Sequence, residues 1–213
     1  MKLNLSADAV LKTTRAVRKR LDLSRSVPTE LIEECLEISL QSPTASGQAL
    51  THYVLIGEDE KKRKIANLYR KAFEIYQKQK KTVTTHHPDK NSADRMVDSA
   101  QYLAANMHKV PWLLIPVMVG RYKTPLECAS VYGSILPSVW SFMLAARERS
   151  LGTCWTTLHL MFEKEAAEIL GVPFDRYTQV ALIPIAFSNG TDFKEAPRKD
   201  LTNFLHMNNW KMS

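Results

Sequence analysis

Apolar positions along this chain fall into two rhythms, one repeating every three or four residues and one running without interruption. The first rhythm marks helices. Residues 6–13 form one, with Ser6 placed to cap it. TELIEECLEISLQ, opened by Pro28 and Thr29, carries Leu31, Ile32, Cys35, Leu36 and Leu40 on one face, and Ser42-Pro43 stops it. KKRKIANLYRKAFEIYQKQKK, residues 61–81, repeats Ile65, Leu68, Ala72, Phe73 and Tyr76 under a basic outer face. ADRMVDSAQYLAANMHK and FEKEAAEILGVP are helical too, the latter ended by Gly171 and Pro173.

The second rhythm marks buried strands: HYVLI, WLLIPVMVG and TQVALIPIAF, with TCWTTLH also rich in strand formers. ECASVYGSILPSVWSFMLAARERSLG is too long for a strand and apolar all round. It predicts a central helix over 127–150, started or kinked by Pro137 and closed by Gly152, that serves as core or as a subunit contact. TASGQALT reads as a polar loop, and TVTTHHPDKNS as an exposed, mobile one. From Ser188 onward the chain is polar and irregular, with Phe193, Leu201, Phe204 and Trp210 as anchors for a tail that wraps its own domain or a partner subunit. No repeat or linker divides the chain, so a single domain over 1–213 is expected.

Composition narrows the chemistry. Three scattered cysteines, at 35, 128 and 154, with no C-x-x-C pair, suggest free thiols in a reducing, cytoplasmic setting. The run Val110–Gly120 is too short to cross a bilayer, and no membrane association is expected. The net charge of +7 is concentrated in 15–25 and 61–81 and reads as a solvated helix face, not a nucleic-acid surface. Seven glycines, no two closer than ten positions, exclude the dinucleotide fingerprint, the P-loop and the G-x-S-x-G elbow. A bound phosphate would need arginines instead. His86-His87 beside Asp89 is poorly spaced for one metal, and His108, His159 and His206 stand alone; no metal site is expected and no catalytic acid, base or nucleophile can be named. That points to a borrowed cofactor or to no catalysis.

Four segments, in order, resemble the nitroreductase family of flavoproteins: TTRAVRKRLD, QSPTASGQALTHYVLI, LAARERSLGTCWTTLH, and VALIPIAF with APRKDLTNFLHMNNW. The resemblance implies an α+β fold, with a central mixed, mostly antiparallel sheet flanked by helices, in an intertwined homodimer. It implies FMN as cofactor and NAD(P)H as co-substrate. The electrons would pass to a nitroaromatic, a quinone or another small electrophile. A non-catalytic FMN-sequestering protein and a deiodinase-like or flavin-cannibalising variant stay open. In this reading Arg15 sits by the flavin phosphate with Ala16 beside it, and Arg18 by the N1/O2 edge of the ring. Pro43, Thr44, Ser46, Gly47 and Gln48 approach the ring from the partner subunit, while Trp155, Thr156 and Thr157 lie at the ring and its N5 edge. Arg198, with Lys199 nearby, clamps the phosphate. Relative to the family pattern an arginine becomes Thr14 and a serine becomes Ala16, which shifts phosphate binding onto Arg15 and Arg198. Residues 61–92 occupy the place of a variable lid, and 190–213 that of a C-terminal arm.

Overall fold

The computed structural model describes residues 2–48, 50–80 and 90–210. The loop carrying His86, His87 and Asp89 lies outside the described residues, and the rest of the expected lid, 61–80 and 90–92, lies in helices. Six helices, α1 (Ala7–Thr13), α2 (Thr29–Ser39), α3 (Asp59–Lys80), α4 (Lys90–Asn106), α5 (Pro125–Glu148) and α6 (Glu163–Leu170), surround five strands among the described residues. The strands are β1 (Thr51–Ile56), β2 (Trp112–Val119), β3 (Leu151–Thr153), β4 (Tyr177–Gln179) and β5 (Ile183–Phe187), in the order β1-β2-β5-β3 with β4 also on β2. All pairings between these strands are antiparallel, and the parallel element is an isolated bridge between Ala16 and Thr153.

The unbroken apolar run of β2 has a simple cause: both faces of the strand are covered. Leu113, Ile115 and Val117 point to a core shared with Ile65, Leu68, Tyr69 and Phe73 of α3 and Leu103 of α4. Leu114 and Met118 point the other way, to a core shared with Ile32 and Cys35 of α2 and Val131, Ile135, Val139 and Phe142 of α5. The strand alternation therefore sorts side chains between two layers of helix, not between core and water.

TQVALIPIAF is one strand only in outline. Leu114 pairs with Ile183 and Val117 with Gln179, so three steps on β2 oppose four on its partner. The extra residue makes a β-bulge between β4 and β5. There Leu182 leaves the β2 ladder and pairs with Thr156 instead, through N–H to O contacts of 2.8 and 3.2 Å.

The ends of α5 differ from the sequence expectation. It starts at Pro125, two residues before the expected Glu127, because Thr124 and Glu127 form a reciprocal capping box and Pro125 suits the first helical turn. Pro137 lies inside the helix and does not start it. The helix closes at Glu148, and Ser150, with φ 63°, makes the left-handed turn that had been assigned to Gly152. Gly152 belongs to β3, and a Cβ there would come within 2.9 Å of Val17 and Leu21 side chains. Its role is close packing, not helix termination. Likewise, of the expected β-rich TCWTTLH only Thr153 lies in a strand, and Leu158 and His159 begin the 3-10 turn Leu158–Phe162. By length and composition α5 could cross a membrane, but its buried side forms the core just described.

Candidate functional site

Residues 14–22 run along the free edge of β3. The Val17 N–H donates to the Thr153 carbonyl at 2.8 Å, Asp22 N–H to Phe187 O at 2.8 Å, and Asn189 N–H to Arg20 O at 2.7 Å. Val17 and Leu21 turn inward onto Gly152, which has no side chain to keep them away. This docking brings Arg15, Ala16 and Arg18 beside Thr153–Thr157, although they are far apart in sequence. Arg15 is half-buried and donates to Thr14 O at 2.8 Å and to Lys194 O at 2.5 Å, which ties it to the start of the C-terminal arm. Thr14 has its hydroxyl committed to Val10 O at 2.6 Å, so it is no ready substitute for a phosphate donor.

Arg18 lies beside two buried acids. Burial raises the Tyr69 hydroxyl to about 12 and also raises the Cys154 thiol, while the Arg18 charge opposes both shifts. Both groups therefore stay neutral at ordinary pH and leave Arg18 a net positive charge to present. Tyr69 comes from α3 and hydrogen-bonds Thr156. Sequence reasoning missed it, yet it stands inside the apolar stripe of α3 as a residue with a polar tip that needs a buried partner.

The three residues expected at the ring divide in their roles. Trp155 packs against the α5 core. Thr156 is buried and its hydroxyl donates to Leu182 O at 2.6 Å. Thr157 is exposed, which makes it the hydroxyl able to meet a ligand. Two residues on, His159 is fully buried with no partner for either ring nitrogen among the described residues; burial lowers its pKa to about 4, so it is neutral.

Pro43, Thr44, Ser46, Gly47 and Gln48 are exposed and lie on α5 instead of joining the arginines. Ala45 N–H donates to Ser134 Oγ at 2.9 Å and Ser42 Oγ to Ser141 Oγ at 3.1 Å. Ser46 and Gly47 adopt φ of 53° and 66° in this short turn. Arg198 is exposed four positions beyond Lys194 and makes no hydrogen bond or ion pair among the described residues. The chain thus brings Ala16 onto Thr153 and Arg18 beside Cys154 and the Tyr69–Thr156 pair, and holds the 43–48 loop elsewhere. No cluster of three metal-ligating side chains occurs among the described residues.

The Nitroreductase family matches residues 11–187, and the chain belongs to it. Solved structures with a similar fold include iodotyrosine deiodinase bound to FMN and 3-iodo-L-tyrosine, at 16% identity and a TM-score of 0.73, covering 94% of this chain and 98% of that one. A BluB-like flavoprotein from Clostridium difficile 630 is similar at 15% identity and a TM-score of 0.71, covering 96% and 99%. An FMN- and NADPH-dependent nitroreductase from Sphigopyxis sp. strain HMH is similar at 16% identity and a TM-score of 0.69, covering 97% and 100%. No curated protein matches the sequence significantly.

Proposed function

We propose that the chain is an FMN-dependent oxidoreductase that takes electrons from NAD(P)H and passes them to a small electrophile, working as a homodimer in a reducing compartment. The observation that carries this reading is the docking of Val17 on Thr153, which seats the arginine segment against the strand that leads on to the exposed Thr157. The residues fit a flavin mononucleotide chemically: cations for its phosphate and for its electron-accepting edge, a hydroxyl donor, and no acidic side chain among them. Bound there, FMN would supply the hydride and electron-transfer chemistry that the chain's own side chains lack. Arg15 and Arg198 would hold the phosphate. Arg18 would stabilise negative charge gathering at the pyrimidine edge, a contribution made before the reaction by a side chain already fixed in place. Thr157 would donate toward the opposite edge.

The homodimer accounts for two exposed surfaces. Leu126 (78% exposed) and Trp140 (40%) of α5 face outward, as do Leu201, Phe204 and Trp210 (79%) of the arm. A second copy would cover them and bring its own Pro43–Gln48 loop to the arginines.

The test is the visible spectrum of the purified protein, FMN release on heating, and anaerobic bleaching on addition of NADPH or NADH. A protein that is colourless and takes up no added FMN overturns the reading; one that holds FMN but is bleached by neither donor is a flavin-sequestering protein. Arg198→Ala is expected to weaken FMN binding roughly 10- to 200-fold, with near-normal reduction per bound flavin. Arg18→Ala is expected to show the reverse emphasis, with slower reduction and a smaller loss of affinity.

A further inference from the structure

Two grooves away from the candidate flavin site flank the start of α3. One, of about 390 Å³, lies between α3 and the end of α4 and is lined by Arg63, Lys64, Asn67, Arg70 and His108 over a floor of Ala66 and Ala104. The other, of about 370 Å³, is lined by Arg25, Lys62 and Lys109 with Ser24 and Ser26. They are neighbours through the chain itself, since Lys62 opens into one and Arg63 into the next, and Lys109 and His108 divide in the same way. No acidic side chain lines either groove.

The cations are not all equivalent. Lys62 is buried, pairs with Asp59 at 3.0 Å and donates to the Val110 and Pro111 carbonyls. Lys64 pairs with Glu60 at 2.6 Å. Their charge is spent within the fold. Arg70 and Lys109 are exposed and form no ion pair among the described residues, Arg63 is exposed with Asp59 and Glu60 of its own helix within electrostatic reach, and Arg25 lies 3.6 Å from the Phe187 ring. Asn67 accepts from Arg70 at 2.7 Å, which orients that guanidinium while leaving its other donors available. Positions 63, 67 and 70 share one helical face, and the small Ala66 and Ala104 keep the helices from closing over it.

We infer that the grooves flanking the start of α3 form a binding site for a small molecule bearing a di- or triphosphate group, separate from the flavin site. Two open grooves of about 390 and 370 Å³ suit a compact anion with several charges more than a long polymer, which would need a continuous track with stacking rings. Forked guanidinium donors suit phosphate oxygens in pairs.

The probe is inorganic tripolyphosphate, titrated calorimetrically into the full-length, FMN-loaded protein. One anion is expected per chain, with affinity falling as salt rises. The Arg63→Ala/Arg70→Ala double variant should weaken binding roughly tenfold to a hundredfold, and Lys109→Ala, in the adjoining groove, should weaken it severalfold. Lys164→Ala, which removes an exposed charge from α6, should change it less than about twofold. Circular dichroism checks that each variant is folded. The inference fails if tripolyphosphate does not bind, or if Lys164→Ala weakens it as much as the groove variants. It also fails if a 20-mer RNA or phosphatidylserine vesicles bind these residues while tripolyphosphate does not.

Discussion

Helices α3 and α5, of 22 and 24 residues, cover opposite faces of the sheet and solve their packing differently. The inward side of each is apolar: Ile65, Leu68, Ala72 and Phe73 on α3, and Val131, Ile135, Val139 and Phe142 on α5. Their outward sides diverge. Arg63, Lys64, Arg70 and Lys71 of α3 present charge to water, whereas Leu126, Leu136 and Trp140 of α5 present apolar surface. Buried polarity diverges as well. The α5 layer holds Ser134 and Ser138, whose hydroxyls donate to Ser130 O at 3.1 Å and Ser39 O at 2.9 Å. Beside α3 lies His159, with no hydrogen-bond partner among the described residues. One helix is finished as a surface of the protomer, and the other is finished only when something covers it.

The strongest way to break this comparison is inside α5. Phe142 is fully buried, so Phe142→Ala should cost about 3–5 kcal/mol and unfold the protein at far lower urea concentration. A loss below about 1 kcal/mol would mean that the α5 core is not packed as described.

Acid should attack the α3 side next. His159 has its pKa lowered by burial from 6.5 to about 4, so the unfolded chain binds a proton that the folded chain refuses between those values. The stability linked to His159 is therefore fully present above pH 6.5 and is lost as pH falls toward 4, by about 3 kcal/mol in all. Urea titrations across this window should show a slope that His159→Leu removes. An identical slope in the variant would assign it to other groups.

Self-association tests the outer face of α5. Trp140→Glu places a charge on the surface assigned to the partner and should raise the dimer dissociation constant roughly 30-fold or more, read by sedimentation at several concentrations. Unchanged association would move the interface elsewhere. The smallest effect belongs to α3: Arg63→Gln and Arg70→Gln should each alter stability by less than about 0.5 kcal/mol, because these side chains already stand in water.

How much of this was legible in the sequence follows from the range of each interaction. Helix periodicity exposed α2 and α3 and their inward faces, and the apolar run exposed β2, because those signals lie within a few residues. Ser6 was readable as a cap, and so was Gly171, which takes φ 70° after α6. Gly152 was misread because a glycine after a helix usually turns the chain, while its real duty is set by Val17 and Leu21, which local pattern cannot place. The bulge before Ile183 left no local trace either, since TQVALIPIAF is apolar on both sides of it. At the site, the arginine segment and Thr157 could be proposed from motifs, but not the contacts that seat them. Thr156 hides its hydroxyl on Leu182 and Tyr69, and both partners arrive through long-range packing.

The edge docking of Arg15 also sets an order of events during synthesis. Arg15 and Lys194, whose side chain and carbonyl meet, are 179 positions apart. A ribosome adding about 5–20 residues per second needs roughly 10–40 s to deliver the second after the first. Until Thr153 is made the arginine segment has no β3 to rest on, and through the whole interval it lacks the arm. It stays a solvated basic thread while the helices nearby begin to pack. The edge proposed to hold the flavin is thus assembled late in the life of the nascent chain, and a stall near the 3′ end of the message would leave a body already rich in structure but without the arm's contact to Arg15.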